Sequence, residues 1–266
     1  MNEEALNQLP FIEGMMALTQ TIEPNLPILS VQTQLNTLVE EAKNTLLIEC
    51  DPKQRFTKLL ALFYGEWGFS GDSEAYFSLE NSYLYRVLDR KKGSPVCLGA
   101  ILLHLAKELD LPISGVNFPT QFMLRADWAK DDVAFLNPFD GEWVTQHVLT
   151  AWLKGMKGPF AKLSRDDLAI SDYFPLLLRW LTVRKGALLR DEQFVLALSY
   201  SMLVLEFKPD DPYEIRDRGL IYQQLECDLA AALDYQYFID HCPDDPATAL
   251  LLLQMKKLNT DPLVLH

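Results

Sequence analysis

The tetrapeptide Pro209-Asp210-Asp211-Pro212 returns as Pro243-Asp244-Asp245-Pro246, a shift of 34 residues. A period of that length restricts the C-terminal part of the chain to stacked supersecondary units that bury their faces against one another. Counting back from Pro243 sets Gly219, Tyr222, Ala231 and Tyr235 at the small and aromatic positions of a helical hairpin. The small residues let two antiparallel helices approach, and the aromatics fill the space between them. One period earlier Ala197 repeats Ala231, but Lys185 stands where Gly219 does and Leu188 where Tyr222 does. One repeat is therefore complete, its neighbour is partial, and a helix from Ala247 closes the array. The paired aspartates precede each unit, which reads as N-capping rather than metal ligation.

The rest of the chain has a different rhythm. Residues 1 to about 92 read as helical, with stripes at Leu35, Leu38, Val39, Ala42 and Leu46 and at Phe56, Leu59, Leu60 and Phe63. Pro24 and Pro27 part the first helix from the second, and Gly65, Gly68 and Gly71 form a loop around Trp67. A helix begins at Asn81, and another carries the apolar stripe Leu98, Ile101, Leu102, Leu105 and Leu109 until Asp110 and Pro112 end it. Ile113–Phe118, Gln121–Trp128 and Val133–Leu136 are short β-like runs, the last two joined by a hairpin loop at 129–132. A helix follows from Thr145 to Leu153. Gly155, Gly158 and Pro159 then mark a boundary between residues 1–158 and a helical-repeat domain, 159–266.

The length suffices for one large domain or two modest ones, each with a real core. A net charge of -13 argues against a general nucleic-acid or anionic-membrane surface. The one basic cluster, Arg86 with Arg90-Lys91-Lys92, reads as a helix C-terminus. The opening Met1-Asn2-Glu3-Glu4-Ala5 is acidic and lacks the apolar core of a signal peptide. No apolar run reaches the ~18 residues that span a bilayer. The cysteines at 50, 97, 227 and 242 have no metal-binding spacing, so reduced thiols in the cytoplasm are the simplest reading. Nothing implies a metal or cofactor.

The segments Gly93-Ser94-Pro95-Val96-Cys97-Leu98, Phe118-Pro119-Thr120-Gln121-Phe122 and Asn137-Pro138-Phe139-Asp140-Gly141, followed by helical repeats, resemble the SirB-one family. Ala61-Leu62-Phe63-Tyr64-Gly65 and Pro212-Tyr213-Glu214-Ile215-Arg216-Asp217-Arg218-Gly219 are similar to its YchA-type branch. The resemblance covers nearly the whole length. It implies an α+β, mostly helical protein: a transglutaminase-like (papain-like) core with a helical N-terminal region, then tetratricopeptide-type hairpins. It also implies that Cys97 holds the nucleophile position, Gln121 the base position where the family motif has His, and Asn137 the place of the orienting Asp. Many members carry Ser at the first position.

Neither Gln121 nor Asn137 exchanges a proton near neutral pH, and general acid–base help is typically worth ~10²- to 10⁴-fold. These vestigial triad positions therefore predict a protein that does not turn over. A thiol at a helix start can also be reactive, since the positive end of the helix favours thiolate, or simply a small core residue. His104 lies seven residues beyond Cys97 on the same helix, about 10 Å along its axis and out of reach. His147 follows the Asn137 strand and is the one candidate for a displaced base. Two functions stay open. One is a non-catalytic adaptor or regulator that binds another protein or peptide. The other is a thiol-dependent acyl-transfer enzyme, a peptidase or amidase, using Cys97 with an unrecognised base. For the first, Arg125, Arg216, Arg218 and Tyr222 are the candidate contacts with an acidic partner, because Arg grips carboxylates bidentately. The competing role of these arginines is in internal ion pairs.

Overall fold

The structure, a computed structural model, describes residues 2–47, 49 and 51–258. Cys50 lies outside the described residues. The chain forms two compact units, Met1–Val183 and Arg184–His266.

In the first unit α1 (Glu3–Gln8) and α2 (Phe11–Ile22) are two helices where the sequence predicts one, because Pro10 stands between them. α3 (Ile28–Thr45) and α4 (Pro52–Leu60) follow, and α4 runs on into a π-helical turn over Ala61–Glu66, so part of the expected glycine loop is helical. Next come β1 (Ser70–Gly71), a 3-10 turn over Leu79–Ser82, α5 (Leu84–Arg90) and β2 (Lys92–Gly93). β1 and β2 pair in parallel, Ser70 with Lys92 and Gly71 with Gly93, where the sequence predicts a glycine loop and the end of a helical region.

Apart from His104, α6 (Pro95–Glu108) is apolar until its last turn and is buried almost throughout, as a helix with so little polar face must be. An antiparallel meander covers it: β3 (Ile113–Val116), β4 (Met123–Ala129), β5 (Asp132–Asn137) and β6 (Glu142–Val144), in that order across the sheet. Three of these strands are the predicted β runs with shifted ends. β6 is additional, a three-residue edge strand too short to show alternation. Val116, Phe118, Met123 and Phe135 pack with Leu149 and Leu153 of α7 (Gln146–Lys157) into one core cluster.

α8 (Tyr173–Arg190) opens with Leu176, Leu177 and Trp180 fully buried, and the Trp180 indole donates to the Ser82 carbonyl at 3.3 Å. These contacts hold the first turns of α8 in the core of the first unit. The units divide at 183/184, and Gly158 ends α7.

The second unit continues with α9 (Phe194–Phe207), α10 (Pro212–Gln224), α11 (Asp228–His241) and α12 (Pro246–Met255). Asp211 caps α10 by accepting from Tyr213 N and Glu214 N, and Asp245 caps α12 by accepting from Ala247 N. Each is followed by Pro at the first helical position, where a missing N–H costs nothing. Ala231, Tyr235 and Phe238 are fully buried in one cluster with Leu251, against which Tyr222 packs. No helix of the described residues is long and apolar enough to cross a membrane.

Candidate functional site

The start of α6 is set by Ser94, whose hydroxyl accepts from Cys97 N at 3.4 Å, with Pro95 next in the chain. Cys97 itself has no exposed surface. Its thiol donates to the Ser82 carbonyl at 3.5 Å, the same oxygen that accepts from Trp180. Asn81 and Ser82, each 1% exposed, form the shelf on which the helix start rests. The Asn81 carbonyl accepts from Ser94 N at 3.0 Å, and its carboxamide bridges Ala75 O and the Arg90 guanidinium.

Arg90 in turn pairs with buried Asp72 at 2.9 Å. Burial alone would push the Asp72 carboxyl up. Hydrogen bonds from Ala75 N, Arg90 and Asn81 outweigh it and hold the carboxyl below its usual range. Asp72, Ser82 and Trp180 are absent from the sequence reading, and no pattern marks them. They are single polar or aromatic side chains whose partners lie 15 to 98 residues away.

Gln121 lies just before β4, not within it, and its amide donates to Met123 Sδ at 3.4 Å. The adjoining Phe122 anchors this segment to the helix. A Cβ at Gly99 would stand 2.1 Å from the Phe122 ring, so only Gly lets α6 and that ring meet. Phe122 also stacks on Phe11, which makes it core.

Asn137 ends β5 and is 8% exposed. Its amide donates to Asp140 at 2.9 Å and its oxygen accepts from Phe139 N at 3.1 Å, while Asp140 caps Glu142 N. These bonds build the β5–β6 turn. The Tyr64 hydroxyl donates to Pro138 O, and Gly71 N donates to Phe139 O at 2.7 Å. Burial, and then Asp140, push the Tyr64 phenol far above its ordinary range, so it stays protonated and a donor. Because Gly71 pairs with Gly93, the Asn137 turn is tied through β1 and β2 to the residue before Ser94. The segments that carry Gln121 and Asn137 are thus both tied to the first turns of α6, which carry Cys97. The side-chain hydrogen bonds of Gln121 and Asn137 run to Met123 and to the turn. His147 is exposed in the first turn of α7, and His104 faces a groove formed with α2 and α3.

Each candidate arginine has an internal partner. Arg125 grips Asp127 through two nitrogens and donates to Leu168 O. Arg216 pairs with Asp217 at 2.7 Å and lies over the rings of Tyr213 and Phe238. Arg218 meets both oxygens of Asp234 and lies over Tyr222. In the basic cluster, Lys91 ends α5 with its ammonium 4.4 Å from the centre of the Phe69 ring. Arg86 pairs with Glu80.

Residues 29–182 match the transglutaminase-like superfamily and residues 185–256 match the tetratricopeptide repeat. A UPF0162 protein of Vibrio cholerae is 49% identical over 97% of this chain and 96% of its own. Protein SirB1 of Salmonella typhimurium is 40% identical, and the UPF0162 protein YchA of Escherichia coli K12 is 39% identical, each over 98% of this chain and 97% of the relative. The chain belongs to the SirB1 family. No solved structure matches it. Within this SirB1-family core, the matched region takes in Cys97, Gln121 and Asn137, and the repeat match takes in Arg216, Arg218 and Tyr222.

Proposed function

We propose that this member of the SirB1 family is a non-catalytic binding protein: a transglutaminase-like frame without its proton shuttle, joined to a tetratricopeptide tail that holds a partner protein or peptide. The observation that carries this reading is the Asn137–Asp140 hydrogen bond. The residue at the orienting-acid position is spent on a turn, and neither it nor Gln121 takes up a proton near neutral pH. The tetratricopeptide fold presents extended surfaces to protein partners. On α11, Leu229 and Leu233 are 60% and 66% exposed one helical turn apart, an apolar contact that a partner would cover. Arg216 and Arg218 then serve as rim groups, their guanidinium planes already set by Asp217 and Asp234. Cytoplasmic residence belongs to the same reading, since the described cysteines are free thiols.

The test is affinity capture from native lysate on the full chain. Leu229→Asp with Leu233→Asp should weaken capture about tenfold at an unchanged melting temperature. Undiminished capture by that folded double variant overturns this placement of the contact.

The capped helix start at Cys97 favours a second reading, thiol-dependent acyl transfer. A broad acyl-substrate screen decides between the two. Turnover that disappears in Cys97→Ala would replace the first reading with the second. The expected result is no turnover.

A further inference from the structure

A groove of about 460 Å³ runs between α2 and α3 with His104 of α6 in its lining. Its apolar floor includes Ile12 and Leu35, 1% and 2% exposed. Its polar groups are Glu13, Gln32, Asn36 and His104, with Gln20 further along, and Glu13 is the one carboxylate of the described lining. His104 Nε2 is buried with no hydrogen-bond partner among the described residues. Buried polar atoms are nearly always satisfied, so an orphan of this kind asks for a partner.

The chemistry of that partner follows from what faces it. Burial holds the His104 imidazole below its ordinary value, against the pull of Glu108 and Glu13 and with help from Lys107 and Lys43. The ring is therefore neutral at pH 7, and with its proton on Nδ1 it offers a lone pair at Nε2. Glu13 adds a carboxylate, and the carboxamides add oxygen acceptors. A primary ammonium has three N–H donors and no acceptor, and its methylene stem favours an apolar floor. The net charge of -13 concentrates cations at the surface and disfavours anions.

We propose that this groove binds a short-chain primary alkylammonium, its charge against Glu13, one N–H on His104 Nε2 and its chain over Ile12 and Leu35. The site is separate from the Cys97 frame and independent of the adaptor reading.

The experiment is an NMR titration of the full chain with n-butylammonium, following the His104 ring, with n-butanol and butyrate as controls. A His104→Gln variant assigns the resonance. Glu13 is exposed, so Glu13→Gln keeps the fold and tests the charge. The expected result is a saturable shift with n-butylammonium, weakened about fivefold in Glu13→Gln, the range of a partly solvated ion pair. Butyrate should give none. Acidification should release the amine as His104 protonates, because an imidazolium has no lone pair and repels the ammonium. The groups that set that transition are Glu13 from α2, Lys43 from α3, and Lys107 and Glu108 of α6. An unmoved His104 ring, equal affinity for n-butanol, or undiminished affinity in Glu13→Gln would each overturn the proposal and leave only water as the partner of Nε2.

Discussion

Gly219 and Lys185 occupy the same place in successive repeats of the tail, 34 residues apart, and meet the same packing demand in opposite ways. At Gly219 a Cβ would stand 2.9 Å from the Tyr235 ring and 3.0 Å from Asp234 Cβ, so α10 and α11 approach because a side chain is left out. At Lys185 the side chain is present and buried, and its ammonium meets both Glu214 oxygens at 2.7 Å and Asp217 at 2.9 Å. Ser201 of α9 donates to the same Glu214 carboxylate. The departure from the repeat pattern is thus an ion pair that ties α8 to α10 with α9 between them. A degenerate repeat position is a coupling between repeats rather than a decayed one.

The comparison breaks most visibly at Glu214. Glu214→Ala leaves the Lys185 ammonium buried with only the half-buried Asp217, and removing one partner of a buried pair costs about 3–5 kcal/mol. Urea unfolding of the full chain measures it. The double variant Lys185→Met with Glu214→Leu should recover most of the loss, because a well-packed apolar pair replaces a buried ion pair at little cost. A Glu214→Ala loss under about 1 kcal/mol would mean that the pair behaves as a surface bridge and that the two repeats do not differ in kind.

The glycine-type repeat gives a smaller number. Ala231 is fully buried between the helices, and Ala231→Leu should overpack that contact by about 1–3 kcal/mol. The same repeat has an alkaline signature. Burial, and then Asp234, push the Tyr235 phenol up to about 12. A folded value above the unfolded one of roughly 10 means that its stability is fully present below pH ~10 and lost as pH rises toward 12. Tyr235→Phe should flatten that loss, and an unchanged alkaline unfolding profile would contradict it.

These positions also show what a sequence can and cannot display. Asp211, Asp245, Gly219 and Ala231 are legible because their roles are local or periodic: a cap acts on the next two or three residues, and a small residue recurs with the repeat. Lys185 reads as a blemish because Glu214, which explains it, lies 29 residues away. The same holds around Cys97. The apolar stripe from Leu98 announces the helix, and Asn137-Pro138 with Asp140-Gly141 has the chemistry of a turn. Asn81, Ser82 and Trp180, which hold the thiol in place, come together only in the folded core. β6 escaped because three residues of an edge strand have no period, and the parallel β1–β2 pair escaped because each strand is two residues long.

In the first unit, the counterpart of the Lys185 pair is Asp72 with Arg90, and here the sign of the pH dependence is reversed. The Asp72 carboxyl sits below its ordinary range, so its contribution is full above the unfolded carboxyl value of roughly 3.9 and lost as pH falls through the lower folded value. Asp72→Asn should cost about 1–2 kcal/mol at neutral pH and remove that acid-side loss. An acid unfolding curve that keeps its shape in Asp72→Asn would move the acid-sensitive group elsewhere.

The smallest effect falls at Cys97. Its thiol is fully buried and donates to Ser82 O, and Ser supplies a smaller side chain with the same donor at the same acceptor. Cys97→Ser should therefore change stability by no more than about 1 kcal/mol. Accessibility gives the sharper measurement. Cys227 is exposed at the start of α11 and Cys242 is partly buried at its end, so among the described cysteines alkylation of the native protein followed by mass spectrometry should label Cys227 first, Cys242 next and Cys97 last. Reagents reach Cys97 only when the helix start lifts from the Asn81–Ser82 shelf, a local opening rather than a surface encounter. Asp72→Asn loosens that shelf through Arg90 and Asn81 and should speed Cys97 labelling while leaving Cys227 unchanged. Native-state labelling of Cys97 ahead of Cys227 would mean that the frame is open to solvent, and would shift the balance from a binding protein toward a working thiol.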